Sequence, residues 1–365
     1  MSPVAHVRLR AQIVWPLLVG AVWLGWALAV PRDLPLHETW PLGVAMLLGS
    51  FVAGATSEGG GAIAFPVMTL LFAIPPMIAR DFGLMCQTVG MGAAALVILT
   101  RRTPIATDAL RWAAPAGIVG LAVGLRFVAP HLSGPAVKIF FCSLWAAFAL
   151  AHVRASRHSR AARAERDDHT ARTDHAARAD HAESAERAPT TSRSWLAVAG
   201  LLGGVVSSLV GTGLDIVVFS VLVLRLGVSE TVATPTSVVL MAIGSAFGFA
   251  LRALDGGPAP DAWAYWWTCV PDEVVGAPLG ARFIEGRGRV FLSRLLYVSI
   301  VGQLVGALVL LPLTPMLVLF GLATFVAGVG VFLGVARPLQ VADMQAVGVQ
   351  AVGVRAGDAR GPEAP

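Results

Sequence analysis

"ATSEGGGAIAFP", residues 55–66, sets a glutamate and three successive glycines between two apolar runs, and "GTGLDIVVF", residues 211–219, presents a similar break later in the chain. The runs flanking the first break, LGVAMLLGSFVAG and AIAFPVMTLLFAI, have the character of membrane helix. Glycine triplets make poor helix interiors, and an ionised carboxylate at a bilayer centre costs about 2.5–3.5 kcal/mol. A break of this kind is tolerated in a membrane only where the freed backbone groups line protein or a cavity. The sequence therefore points to helices broken for a purpose.

Composition sets the class. Of 365 residues, 56% are hydrophobic and 13% charged, with a mean hydropathy of +0.72. Soluble domains carry about 25% charge, so these values imply a polytopic α-helical membrane protein. The net charge of +5 comes almost wholly from arginine, since Lys138 is the single lysine. In this class arginine orients loops toward the cytoplasm and gives no reason to expect nucleic acid as a partner. Cys86, Cys142 and Cys269 are scattered in apolar context and read as small buried hydrophobes. No cofactor or metal motif is present, and the chain lacks the phosphate-binding loop that ATP-driven pumping requires.

Spanning helices are predicted at 12–31, 76–100, 108–129, 135–153, 229–252, 261–283, 290–311 and 315–336. Segments 43–73 and 196–227 are each too long for one span and break at Gly59–Gly61 and Gly211–Gly213. Halves of about 15 residues reach about 22 Å against a hydrocarbon core of about 30 Å, which suits re-entrant hairpins. With both hairpins entering and leaving by one face, the arginine clusters at Arg8/Arg10, Arg101/Arg102, 154–193, Arg282–Arg294 and Arg337 share the cytoplasmic side. The expected organisation is an N-terminal transmembrane helix (1–34), a first transmembrane repeat (43–153), a cytoplasmic hydrophilic linker (154–194), a second repeat (195–312), a last transmembrane helix (313–337) and a disordered cytoplasmic tail (338–365). About eight spans place both termini in the cytoplasm of a plasma-membrane protein surrounded by lipid. Within the linker, nine arginines and seven acids accompany a recurrent Asp-His step that reads as a solvated, partly helical or disordered segment.

The halves repeat. At a shift of 154 residues, "VAMLLGSFV" (44–52) lies on "VAGLLGGVV" (198–206), Gly59 on Gly213, Phe65 on Phe219 and Gly90 on Gly244. At a shift of 156, "PAGIVGLAVGLRF" (115–127) lies on "PDEVVGAPLGARF" (271–283), sharing one proline, two glycines, an arginine and a phenylalanine at fixed spacing. Each copy holds one hairpin and three spans, an odd number, so the copies are expected in opposite orientations. The predicted fold is thus an all-α polytopic membrane protein of two inverted repeats, the architecture of secondary transporters that bind substrate at helix breaks.

With those two breaks, the long helix after each, the Gly-x3-Gly helix and the central hydrophilic loop, residues 43–336 resemble the sulfite exporter TauE/SafE family, also called the toluene sulfonate uptake permease family. The resemblance implies transport of small sulfur-containing anions such as sulfite or organosulfonates. The family pattern places Gly-x-Gly-Gly-Gly in both halves; here Glu58 adjoins the first triplet, and Leu214-Asp215 replaces the last two glycines of the second.

The candidate substrate-binding residues are Ser57, Glu58, Gly59, Gly60, Gly61, Gln87, Gly211, Thr212, Gly213 and Asp215. Glycines at half-helix N-termini can offer N–H groups to an oxyanion, or they can serve close helix packing. Glu58 and Asp215 are candidates for proton coupling, with helix capping as the alternative. Thr56, Ser57 and Thr212 are natural N-caps. Gln87, a lone polar group in an apolar span, either faces a cavity or bonds a neighbouring helix. Arg80-Asp81 reads as an interfacial ion pair. Two further classes compete with an anion transporter. A passive anion channel is one. The other is an intramembrane hydrolase using Ser57 or Glu58, disfavoured because all eight histidines fall at or beyond the predicted membrane edges.

Overall fold

The computed structural model describes residues 16–17, 19–34, 36–55, 61–170, 190–284, 289–335 and 349–350. The chain is mostly helical. Its helices are α1 (Val19–Ala29), α2 (Leu36–Ala55), α3 (Gly61–Pro66), α4 (Pro76–Thr100), α5 (Thr107–Val123), α6 (Gly134–Thr170), α7 (Thr190–Val210), α8 (Leu214–Ser220), α9 (Glu230–Leu254), α10 (Pro260–Ile284), α11 (Arg289–Leu310) and α12 (Pro315–Val335). A two-residue antiparallel pairing joins Ile105–Ala106 to Val349–Gln350. Ser57, Glu58, Gly59, Gly60, linker residues 171–189 and the rest of the tail lie outside the described residues.

Six helical segments are long and apolar enough to cross a membrane: Pro76–Thr100, Thr107–His131, Gly134–Arg154, Ser192–Val210, Glu230–Leu254 and Pro315–Val335. Five coincide with predicted spans. The sixth is the first arm of the second hairpin, longer than the 15 residues expected because α7 begins at Thr190. Its return arm is short: α8 runs into a π-turn over Val221–Arg225. Arg225 stacks on Trp195, 4.1 Å from the ring centroid, and so ties the end of the return arm to the start of α7. Of the other predicted spans, 261–283 forms α10 but carries Asp272 and Glu273, and α11 is apolar over Tyr297–Leu310. Large apolar side chains such as Leu28, Met316, Leu319, Val326, Val298 and Val309 stand exposed along α1, α11 and α12. A surface of that kind requires an apolar solvent.

Element boundaries recur at the shift seen in the sequence. Both bounds of α4 move by 154 onto α9, and the π-turn Val67–Leu71 after α3 moves by 154 onto Val221–Arg225. The halves then pack crosswise, α5 of the first against α7 of the second and α10 of the second against α2 of the first. Helices α4 and α9 pack together, with α11 and α12 laid on α6.

Small residues make the crosswise seams. A methyl group on Gly120 would collide with the Leu201 carbonyl, and one on Gly204 with the Gly117 carbonyl. The matching glycine in the other seam, Gly276, meets the Ser50 hydroxyl and the Leu47 carbonyl. Helix backbones approach closely there because no side chain intervenes. The segment after α3 has an added tether: the Lys138 ammonium on α6 donates to the Thr69 carbonyl (2.6 Å) in the π-turn. α6 itself continues to Thr170, so the first part of the hydrophilic linker is helical.

Candidate functional site

The second break is built by two glycines in the left-handed region. Gly211 has φ +81° and Gly213 φ +135°, values that only glycine adopts without strain. Gly211 also lies so close to α4 that a Cβ would sit 2.8 Å from the Arg80 carbonyl oxygen. These torsions end α7 at Val210 and let α8 start at Leu214 in a new direction.

The freed backbone groups are taken up locally. Leu214 N–H donates to Ser207 Oγ (2.9 Å), and Gly213 N–H donates to Asp215 Oδ1 (3.0 Å). Asp215, fully buried, thereby caps its own helix, in favourable register with the N-terminal half-charge. Its Oδ2 has no hydrogen-bond partner among the described residues. Thr212 is buried beside Met241, 3.9 Å from its sulfur. Gln87 belongs to α4 of the first half yet serves the break of the second: Nε2 donates to the Gly211 carbonyl (2.8 Å) and the Gly83 carbonyl (2.9 Å). Leu84, Gly117, Ser207, Gly211, Leu214 and Met241 border a cavity of about 10 Å³, room for about one water. In this conformation the second break is closed around its own side chains.

Beside the break stands a buried ion cluster. Asp81 accepts from Arg80 (2.9 and 2.7 Å) and from Arg252 (3.1–3.2 Å), and Arg252 also reaches the Gly257 carbonyl (3.1 Å). Arg80 is 6% exposed and Asp81 1%. The pair is buried within the protein, where Arg252 at the end of α9 covers it. Arg252 is also 3.5 Å from the exposed Asp255 carboxylate, so two guanidinium groups face two carboxylates next to Gly211.

Of the ten candidate residues, the structure brings together Gln87, Gly211, Thr212, Gly213 and Asp215. Gly61 opens α3, whose Ile63 packs on Gly49 of α2; Ser57, Glu58, Gly59 and Gly60 lie outside the described residues. Sequence reading missed Ser207, a serine in an apolar helix with no distinguishing context. It also missed Glu273, which is 1% exposed, with Oε2 unpartnered among the described residues. The signal for Glu273 was present, since two adjacent acids inside a predicted span are costly. They were read for the Pro/Gly skeleton around them. His152, at the end of a predicted span, is buried in the protein, stacked on Phe148 with Nδ1 3.0 Å from Tyr297 Oη and Nε2 3.6 Å from Glu230. Among the described residues, no group of three His, Cys, Asp or Glu side chains is placed to hold a metal ion.

No curated protein and no solved structure matches the chain. The profile of a family of membrane transporters of sulfite and related anions, described as sulfite exporter TauE/SafE, matches residues 42–298, most of the chain, and the protein belongs to that family.

Proposed function

We propose that the protein is a secondary transporter that exports a small oxidised-sulfur anion, sulfite or an organosulfonate, bound at the glycine-rich breaks of two inverted repeats. The family match carries this reading. The shared element boundaries, the crosswise glycine seams and the buried polar groups at the second break support it. In this reading Gly59, Gly60 and Gly61 offer N–H groups at the first break, and Ser57 adds a hydroxyl. Gly211, Thr212 and Gly213 form the second contact region, held by Gln87. Asp215 already occupies N–H groups there, so an anion engaging the second break has to displace its carboxylate. Glu58 and Asp215 are the acids proposed to couple anion movement to protons.

The topology proposed with it has eight spans, two hairpins and both termini in the cytoplasm of the plasma membrane. A protease site inserted in 171–189 is expected to be cut from the cytoplasmic side, and one at Gly256-Gly257 from outside. Cleavage of both from one side contradicts the inverted arrangement.

The binding claim is tested on the purified full chain by thermal shift. Sulfite, thiosulfate or an organosulfonate at about a hundredfold excess over its dissociation constant stabilises by about 2.7 kcal/mol, a rise of several degrees in a protein of this size. Carboxylates of equal charge are expected to do less. If no sulfur oxyanion raises the midpoint, the substrate assignment falls. Glu58→Gln, which mimics a protonated carboxyl, is expected to keep anion binding and lose the pH dependence of transport. Unchanged pH dependence leaves Glu58 a helix cap.

A further inference from the structure

Leu214 and Glu273 enter matching slots in the two halves. Leu214, the first residue of α8, wedges between α5 and α9: a Cβ on Gly117 would lie 2.7 Å from its Cδ1, and one on Gly244 2.9 Å from its Cδ2. The 154-residue shift carries Gly244 onto Gly90, and the 156-residue shift carries Gly117 onto Glu273. In the first half, accordingly, the wall residue is itself the occupant. Glu273 of α10 reaches across to α4, where a Cβ on Gly90 would lie 2.8 Å from Oε2. The sequence counterpart of Leu214 is Gly60, which has no side chain to contribute. Where one slot holds a leucine from a break, the other holds a carboxylate against Gly90 of α4.

We propose that Glu273 is a further proton-binding carboxyl, additional to Glu58 and Asp215, set between α10 of the second half and α4 of the first so that it takes up a proton together with the transported anion; the inference rests on the transporter reading above. Glu273 is buried and Oε2 has no hydrogen-bond partner among the described residues. A carboxylate left open in apolar packing is unfavourable unless paired or protonated. Among the described residues its titratable neighbours include no cation. Cys86 on α4 and Cys269 and Asp272 on α10 lie within electrostatic reach, all neutral or negative. On α2 the titratable side chains, His37 and Glu38, are exposed at its start, and on α4 and α9 Arg80, Asp81 and Arg252 are bound to one another. Protonation forms an O–H bond at the carboxyl and turns an acceptor that repels anions into a donor. Anion and proton then bind cooperatively, and deprotonation on the far side releases both. Asp215 also has one open oxygen, Oδ2, but its Oδ1 is held in the cap of α8.

The test uses the full chain in proteoliposomes, with labelled sulfite for counterflow and an entrapped pH dye for proton movement. Glu273→Gln is expected to keep sulfite exchange within about twofold of the parent while sulfite-driven proton movement falls about tenfold or more. Unchanged proton movement in Glu273→Gln overturns the proposal. An infrared pH-jump difference spectrum separates it from the transporter reading, since it needs no flux. A carboxylic-acid carbonyl band present in the parent and in Asp215→Asn, and absent in Glu273→Gln, supports Glu273 as the proton site even if sulfite does not move. A band identical in Glu273→Gln overturns it. Should Glu273→Gln fail to fold, Glu273→Asp moves the carboxyl by one methylene, and an unshifted band in that variant likewise overturns the proposal.

Discussion

The two halves share a backbone plan and differ in what they put into it. Glycines 120 and 276 open matching seams, α4 and α9 have matching bounds, and both return arms end in a π-turn. The second break is self-contained: Asp215 and Ser207 satisfy its N–H groups, and Leu214 plugs the slot between α5 and α9. In the first half the equivalent slot holds the Glu273 carboxyl against Gly90. The ion cluster is one-sided as well, since the counterparts of Arg80, Asp81 and Arg252 are Thr234, Pro235 and Ile98. Glycine positions fixed by close backbone approach are shared by the halves, while the side chains that carry chemistry are not.

The comparison is broken most forcefully at the ion cluster. Asp81→Ala leaves the buried Arg80 guanidinium without its partner and the half-buried Arg252 without one of its two carboxylates, and removing one member of a buried ion pair costs about 3–5 kcal/mol. A large drop in thermal midpoint is expected, while the same change at its counterpart, Pro235→Ala, should do much less. Equal effects would mean that the cluster is not what joins α4 to α9.

Next comes the plug. Leu214→Ala removes a side chain that is 2% exposed and enlarges a small cavity, which costs about 2–5 kcal/mol for a buried leucine. Stability should fall without any change in the pH dependence of transport. A change in pH dependence at Leu214 would undo the division of roles between the halves.

The seams sharpen the comparison at smaller scale. Gly120→Ala drives a methyl group into a helix carbonyl, and overpacking of this kind costs about 1–3 kcal/mol. Gly276→Ala collides first with the Ser50 hydroxyl, which can rotate away, so it should lie at the lower end of that range. The smallest effect is expected from the linker. Deleting about 165–186, a stretch with no apolar period to pack, should leave transport intact in protein that reaches the membrane.

Most of the helical plan was legible because lipid imposes it: long apolar runs, arginine-marked ends and glycines at breaks are written directly into the chain. α7 was read short because its first residues, Thr190 to Arg193, are polar and belong to no apolar run, although the helix already includes them. Half of the candidate site was legible from the glycines, whose torsions at Gly211 and Gly213 have no other cheap solution. Gln87 was visible as an isolated polar residue, but its partner, a carbonyl 124 positions away, was not. Burial of Asp81 depends on Arg252, 171 positions on, and local pattern says nothing about such pairs. Glu273 was signalled locally by its adjacent acid inside an apolar span, but its contact with Gly90 on another helix was not.

The central claim, that this chain carries a sulfur oxyanion by alternating access, is met most directly by sulfite counterflow in proteoliposomes of the full protein. Vesicles loaded with unlabelled sulfite should take up external labelled sulfite in a transient overshoot that saturates and disappears when the interior is empty. Uptake that is linear in concentration and indifferent to internal sulfite would contradict the account and mark the protein as a passive pore.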